Sequence, residues 1–218
     1  MNWKHCDELR PELPSQGFGP VIDDLERHSN SGHPMRNRRD PGNWAHELCH
    51  WVNSLLRVDG YNSFYVLGGR YLTLPEPKVT IEQVADNVPA DQRGKGYKLY
   101  LVTMRRYWNN QPLYILDEAT AYTTGLAHHV ELGQKDNSRM MSANEFVVYS
   151  RVLLETVKRL VPSYVDMPDL EEYINWNAGR VASLTRCHNG ERLVKPPVTP
   201  EIKPAVKPTV KPDDFKLY

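Results

Sequence analysis

The segment from Asp40 to Arg57 constrains the fold more than any other part of the chain, because it carries a complete set of helix signals. Asp40 is a favourable N-cap residue, and Pro41 occupies the first turn, where a helix tolerates proline. At about 100° per residue, the apolar residues fall on one broad arc. They are Trp44, Leu48, Trp51, Val52, Leu55 and Leu56. The segment therefore predicts a helix over about 41–57 that packs one face against a core.

The opposite face of this helix carries an HExxH pattern formed by His46, Glu47 and His50. Histidines four residues apart lie one helical turn from each other, so both can turn a ring nitrogen toward one metal ion. Glu47 points past that ion, where a carboxylate can take a proton from metal-bound water. The pattern therefore predicts a zinc (Zn2+) site with His46 and His50 as ligands and Glu47 as general base.

A tetrahedral catalytic zinc needs a third protein ligand. One zincin class takes this ligand from the extended pattern HExxHxxGxxH, but residues 51–56 lack the extension, so that class is excluded. The chain must therefore supply this ligand from another segment.

A second segment with chemical character, Leu116 to Gly125, contains Glu118 followed by alanine. With the HExxH helix, it resembles the gluzincins, the thermolysin-like clan of zinc metallopeptidases, in which a glutamate on a later helix completes the metal site. The resemblance covers these two segments only. It implies that Glu118 is the third zinc ligand beside His46 and His50, and that Glu47 activates water. Asp117, His128 and His129 compete with Glu118 for the role of third ligand. His129 is expected at the rim of the site instead, because it lies about 16 Å beyond Glu118 along a straight helix.

Tyr122 departs from the pattern of that clan. Thermolysin-like enzymes place an aspartate four residues after the glutamate ligand, where it braces a zinc-bound histidine, and this chain has Tyr122 there. We expect Tyr122 either to brace the histidine or to face the substrate as a catalytic residue. A zinc peptidase also needs a donor for the oxyanion, and Tyr122, His128 and His129 are the candidates.

Turn and capping signals predict the remaining helices and strands. Aromatic and branched residues at 63–67 and 71–74, separated by Gly68-Gly69, predict a β-hairpin. Five more helices are predicted from capping boxes and apolar spacing. They begin near Thr80, Tyr97, Leu116, Ser142 and Asp169. The predicted fold class is α+β, a mostly helical zincin-like domain with a small antiparallel sheet beside the HExxH helix.

Proline placement suggests how the chain is divided. Residues 1–39 are polar and interrupted by prolines, which predicts an irregular N-terminal arm with one helical turn near 21–28. Residues 40–190 form the predicted zincin-like catalytic domain. Residues 191–218 repeat a Lys-Pro pattern that cannot form a packed core, so we expect an extended, disordered tail.

Charge and cysteine usage restrict the classes of partner. Lys plus Arg and Asp plus Glu both number 27, so no global charge favours nucleic acid, and none is expected as a partner. No apolar run approaches the length of a membrane span, so no membrane association is expected. Three cysteines, an odd and sparse set, fit reduced thiols. Together with the polar N-terminus, these features predict a cytoplasmic protein.

The predicted function is that of a zinc metallopeptidase acting on a peptide or protein substrate. Two alternatives remain open. One is a catalytically silent zincin-like domain, which binds zinc or a partner without turnover. The other is an interaction module without metal, in which the Lys-Pro tail docks on aromatic grooves of a partner.

Overall fold

Helices form most of residues 1–30 and 40–191, which are the residues described by the structure, a computed structural model. The α-helices are α1 (Pro20–His28), α2 (Pro41–Leu56), α3 (Ile81–Asn87), α4 (Arg105–Trp108), α5 (Tyr114–Glu131), α6 (Ser138–Leu160) and α7 (Met167–His188). A single turn of 3-10 helix spans Ala90–Gln92, and a π-helical segment spans Tyr97–Thr103. The strands are β1 (Lys4–His5), β2 (Tyr61–Tyr65) and β3 (Arg70–Pro75).

The three strands form one antiparallel sheet in the order β1-β3-β2. The predicted hairpin is confirmed, since β2 and β3 pair directly and the turn between them contains Gly68 and Gly69 at φ values of 69° and 70°. A left-handed backbone of this kind favours glycine, which has no Cβ. The sheet lies beside α2, and a hydrogen bond joins the two: the Ser63 hydroxyl of β2 donates to Leu56 O, at the end of α2, at 2.7 Å. The expected α+β class, mostly helical with a small antiparallel sheet, is therefore confirmed.

Helix α2 has the predicted start, and the predicted apolar face is buried only in part, since Leu55 is exposed and Trp51 and Leu56 are half-buried. The Asp40 carboxylate accepts a hydrogen bond from Asn43 N at 3.0 Å, which satisfies one of the free N–H groups of the first turn. Trp44, Leu48 and Val52 are buried. Full burial of a Leu or Val side chain contributes roughly 1.5–3 kcal/mol, so this face holds α2 in place.

The first 30 residues contain more regular structure than the sequence predicted. Strand β1 pairs with β3, and α1 packs against α2 through buried Val21, Ile22 and Leu25. The helical turn predicted near 21–28 is present as α1, and its start is stabilised by a residue remote in sequence: Glu131 of α5 accepts a hydrogen bond from Val21 N at 3.0 Å. The basic cluster of the expected arm, at 36–39, and the Lys-Pro tail from residue 192 lie outside the described residues.

Three helix starts differ from their predicted positions. The apolar spacing from Tyr97 to Trp108 predicted one helix, but the chain forms the π-helical segment and then α4. Helix α6 begins four residues before Ser142, and the predicted capping partner Glu145 instead accepts a hydrogen bond from Gly96 N at 2.8 Å. Helix α7 begins at Met167, so Asp169 lies in its first turn. The predicted caps at Ser142 and Asp169 were therefore wrong.

Helix α5 occupies the centre of the described structure. It packs against α2 on one side and against α6 and α7 on the other. Its buried Leu116 and Ala119 belong to the larger core cluster, which also holds the sheet, α3, α6 and α7, whereas Ala121 belongs to the cluster around α1 and α2. Of the helices in the described ranges, none has the length and apolar composition that crossing a bilayer requires.

Candidate metal centre

Helices α2 and α5 cross at very short range, and glycine makes the crossing possible. A Cβ added at Gly125 of α5 would lie 3.1 Å from Gly42 O and 3.6 Å from the Cβ of His46, both on α2. A Cβ added at Gly42 would collide with the His129 ring. Glu118 lies two turns before Gly125 on α5, so the same crossing places its carboxylate beside the HExxH face of α2.

The three predicted ligands converge on one point. His46 Nε2 and His50 Nε2 are 3.0 Å apart, and Glu118 Oε2 lies 3.5 Å and 3.6 Å from them. Three ligand atoms of a tetrahedral zinc ion would be about 3.3 Å from one another, given metal–ligand distances of about 2.0–2.1 Å. The observed triangle therefore has the right size to hold such an ion, and the three side chains form a group that can bind metal.

The surroundings of this triangle favour a cation. Glu118 Oε2 is buried and accepts no hydrogen bond among the described residues. Its contacts are the two imidazole Nε2 atoms at 3.5 Å and 3.6 Å, and a cation between these three atoms would stabilise the buried carboxylate. Burial, followed by the charges of His50 and Arg139, lowers the pKa of His46 well below its ordinary value. His46 is therefore neutral, which is the protonation state that a metal requires.

A hydrogen-bonded chain orients His50 from behind. His50 Nδ1 donates to Asp117 Oδ2 at 2.7 Å, and Asn53 Nδ2 donates to Asp117 Oδ1 at 2.6 Å. Asn53 Oδ1 in turn accepts a hydrogen bond from Tyr65 N of β2 at 2.7 Å. Burial alone would lower the pKa of His50, but Asp117 and Glu118 raise it well above its ordinary value. Without a metal, these carboxylates favour the protonated form of His50, so a metal at Nε2 would displace that proton while the contact from Nδ1 to Asp117 holds the ring in place.

A second brace holds Glu118. The Tyr114 hydroxyl, one turn earlier on α5, donates to Glu118 Oε1 at 2.6 Å, and the Tyr114 ring stacks on Trp108 at 4.7 Å between centroids. Burial and the Glu118 carboxylate raise the pKa of Tyr114, so its hydroxyl stays protonated and remains a donor. One carboxylate oxygen is thereby fixed, and the other faces the two imidazoles.

Tyr122 does not brace a histidine through its hydroxyl. Its ring packs edge-on against the His46 ring, with 4.4 Å between centroids, and its hydroxyl hydrogen-bonds the Tyr100 hydroxyl at 2.7 Å. Tyr100 lies on the π-helical segment and lines the open cleft beside the triangle, whereas Tyr122 is not among the residues that line it. Burial and the nearby Glu118 raise the pKa of Tyr100, so this hydroxyl stays protonated.

The cleft has a volume of about 530 Å³ and gives access to the metal triangle. Glu47 lines it with a half-buried side chain. Leu99, Met104 and Trp108 supply apolar wall, and Arg57 supplies a positive charge. A substrate group that enters the cleft therefore meets Glu47, the two histidines and a wall of mixed character.

Other residues considered from the sequence lie elsewhere. His128 is fully buried, and burial together with His129 lowers its pKa to about 4. His129 is buried against Gly42 and does not reach the rim of the cleft, so that expectation was wrong. Cys49 is buried, as expected for a small hydrophobic residue, and burial raises its pKa to about 12.

Sequence reasoning missed Tyr114, Tyr100 and the bracing role of Asp117. A signal existed for Tyr114, which precedes Glu118 by one helical turn and so shares its face. Comparisons with protein-family models, curated proteins and solved structures find no match to this chain. The chemistry of the centre is therefore argued from its own geometry.

Proposed function

We propose that the protein is a zinc-dependent metallopeptidase of the gluzincin type. The observation that carries the proposal is the position of Glu118 Oε2, which lies within 3.6 Å of both histidine Nε2 atoms while Glu47 lines the cleft beside them. Two nitrogen ligands and one carboxylate leave the fourth position of a tetrahedral zinc open for water or substrate. The braces on His50 and Glu118 support this ligand set.

Each residue of the centre then has a defined task. His46, His50 and Glu118 would hold a zinc ion, which would supply Lewis-acid activation of water and of the substrate carbonyl. Glu47 takes the proton from the attacking water and returns it to the leaving amine. Tyr100, which lines the cleft, would donate a hydrogen bond from its hydroxyl to the carbonyl oxygen as negative charge develops there.

Metal analysis tests the ligand set. Full-length wild type is expected to retain one equivalent of zinc after dialysis, and His46→Ala and Glu118→Ala are expected to lose it. His5→Ala and Glu12→Ala are matched controls, because both side chains are exposed and lie outside the centre. Full zinc retention in both ligand variants would overturn the proposed centre.

Peptide digestion tests the reaction. A peptide library is incubated with zinc-loaded wild type and with Glu47→Gln, which keeps the shape of the side chain but removes the base. Cleavage by wild type and its loss in Glu47→Gln is the expected result. Zinc binding without Glu47-dependent cleavage would favour the catalytically silent alternative and would overturn the assignment as a peptidase.

A further inference from the structure

A second cleft opens beside the metal cleft and is strongly basic. It has a volume of about 680 Å³, and we call it the basic groove. Its lining includes Arg93, Lys95, Tyr97, Lys98, Leu99 and Thr103. Leu99 lines both clefts, so the basic groove runs on directly from the metal cleft.

The charge of this region departs from that of the chain as a whole. Residues 92–116 contain five cationic side chains and no carboxylate, although the whole chain has a formal net charge of zero. Arg93, Lys95 and Lys98 are exposed in the groove, and within the described ranges no carboxylate forms an ion pair with Lys95 or Lys98. The guanidinium of Arg93 lies over the Tyr97 ring, 4.9 Å from its centroid, and its Nε donates to Val88 O at 3.0 Å, but no carboxylate pairs with it among the described residues and the side chain remains exposed.

The nearest carboxylate on the adjoining helix does not neutralise the groove in full. Glu145 of α6 is held by Gly96 N at 2.8 Å and by the Tyr149 hydroxyl at 3.1 Å, so its hydrogen-bonding capacity is directed at the backbone and at α6. Arg105 pairs with Glu82 at 2.9 Å and is therefore a weaker attraction for a ligand. Three cations remain available in the groove: Arg93, Lys95 and Lys98.

The π-helical segment connects the groove to the proposed chemistry. Lys98, Leu99 and Tyr100 are consecutive on it: Lys98 lines the basic groove, Tyr100 lines the metal cleft, and Leu99 lines both. An extended chain with its scissile bond at the metal centre would pass Leu99 and place the neighbouring residues among the cations. Arg57 adds a further positive charge within the metal cleft.

We propose that the substrate of this site is an acidic peptide segment, with Asp or Glu side chains next to the scissile bond bound along Arg93, Lys95 and Lys98. This inference rests on the proposed function. A peptide is favoured over nucleic acid because the groove continues from a centre suited to carbonyl hydrolysis and because the net charge of zero gives no general attraction to phosphate backbones. The groove selects by charge, and its contribution falls as salt screens exposed ion pairs.

The binding test uses zinc-loaded, full-length Glu47→Gln and three fluorescent peptides that differ only in carrying several Glu, Gln or Lys residues. Fluorescence anisotropy is expected to give the Glu peptide an affinity roughly tenfold above that of the Gln peptide at low salt, as expected for a few exposed ion pairs. The triple variant Arg93→Gln, Lys95→Gln, Lys98→Gln is expected to lose this preference. A matched control, Lys78→Gln, Arg151→Gln, Arg186→Gln, removes the same charge from exposed positions outside the groove and is expected to keep it.

Two results would overturn the acidic-peptide proposal. One is equal binding of the Glu and Gln peptides by the starting protein, and the other is tighter binding of a short single-stranded DNA or of anionic vesicles than of the Glu peptide. Cleavage gives a separate readout: if wild type cleaves Glu, Gln and Lys peptides with equal kcat/KM, the charge selection fails while the peptidase assignment stands. If the Glu peptide binds selectively but no peptide is cleaved, the peptidase assignment fails while the groove stands.

Discussion

Asp117 and Glu118 are adjacent carboxylates with different tasks, and the helix explains the difference. Consecutive helical residues point about 100° apart, so two neighbours cannot occupy the same side of one ion. Glu118 faces both Nε2 atoms of the histidine pair, whereas Asp117 faces the opposite nitrogen of His50. The charge of Asp117 would therefore act on a metal held at this site only through the imidazole ring.

Replacing Asp117 by asparagine tests the brace. Asp117→Asn keeps the size of the side chain but removes the charge that orients and polarises His50, so zinc affinity is expected to fall about 10–100-fold while the fold is retained. Competition with a chromophoric chelator measures the affinity, and circular dichroism checks the fold. Asp59→Asn, at an exposed turn, is the control. Unchanged zinc affinity in Asp117→Asn would show that the contact is only structural.

Tyr100 and Tyr122 are hydrogen-bonded to each other, but the proposed mechanism gives the two hydroxyls different roles. When Tyr122 donates to the Tyr100 oxygen, the Tyr100 proton is free to point into the cleft. Tyr100→Phe is therefore expected to lower kcat about 100-fold, the usual effect of losing one oxyanion donor, with zinc affinity unchanged. Tyr122→Phe removes only the supporting hydroxyl, and a smaller loss is expected.

Steady-state kinetics on a peptide cleaved by wild type, with zinc content measured in parallel, distinguishes these variants. An equal or larger loss in Tyr122→Phe would return the catalytic role to Tyr122, which the sequence predicted. A loss of zinc in Tyr100→Phe would instead mean that the phenol supports the ligands.

At the scale of elements, the α2–α5 crossing determines whether a metal centre exists. Gly125 lowers the helix propensity of α5, and the sequence alone counts that as a weakness. In the structure it permits the backbone of α5 to approach Gly42 O, where a Cβ would lie at 3.1 Å. Gly125 therefore lowers the local stability of α5, but it allows α2 and α5 to approach closely enough for Glu118 to reach the histidines.

A larger side chain at this crossing is expected to separate the two helices. Gly125→Val should lower the free energy of unfolding by about 1–3 kcal/mol, as overpacking does, and should also weaken zinc binding. Gly179→Val is the matched control, because Gly179 lies within α7 with nothing within 4 Å of an added Cβ. Urea denaturation and zinc titration measure both variants. A stable Gly125→Val protein with normal zinc affinity would contradict the close-crossing argument.

At the scale of the whole molecule, Glu76 links the sheet to the helix that carries Asp117 and Glu118. It follows β3 directly, and its carboxylate accepts hydrogen bonds from Leu113 N at 3.1 Å and from Asn62 Nδ2 at 2.6 Å. Burial raises the pKa of Glu76 to about 7, although these two hydrogen bonds and Arg57 oppose the shift. The start of α5 is thus attached to the sheet by a group that ionises near neutral pH.

This raised pKa has a defined effect on stability. The ordinary pKa of 4.5 applies to the unfolded chain, and the folded value is about 7. Because the folded pKa is the higher one, the contribution of Glu76 to the free energy of unfolding is fully present below about pH 4.5. It is lost as pH rises through about 7, and the total loss is at most about 3 kcal/mol. Relative to wild type, Glu76→Gln is therefore expected to gain stability between about pH 5 and about pH 8.

Urea denaturation of wild type and Glu76→Gln at both pH values measures this difference, in which the titration of all other groups cancels. Glu12→Gln, an exposed change, should give a difference that does not vary with pH. A pH-independent difference for Glu76→Gln would mean that the Glu76 carboxylate ionises normally in the folded protein.

Local signals in the sequence predicted local structure well. Asp40 caps α2, Thr80 and Gln83 form the predicted capping box of α3, and Gly68-Gly69 turns the hairpin, because each of these interactions joins residues at most a few positions apart. The predictions that were wrong involve distant partners. Glu145, assigned to a cap, accepts a hydrogen bond from Gly96 N, and Asp169, also assigned to a cap, accepts hydrogen bonds from Asn2.

The sequence by itself determined the HExxH face of α2, because the spacing of His46, Glu47 and His50 becomes a geometry as soon as a helix forms. Only the tertiary structure decided which residues contact that face. Three features depend on residues that lie on separate elements, most of them more than 40 positions apart in sequence. They are the contacts of both histidines with Glu118, the hydrogen bond from His50 to Asp117, and the position of Tyr100 beside the cleft. Helical periodicity carries no information about such pairs, because they are set by how α2, α5 and the π-helical segment pack.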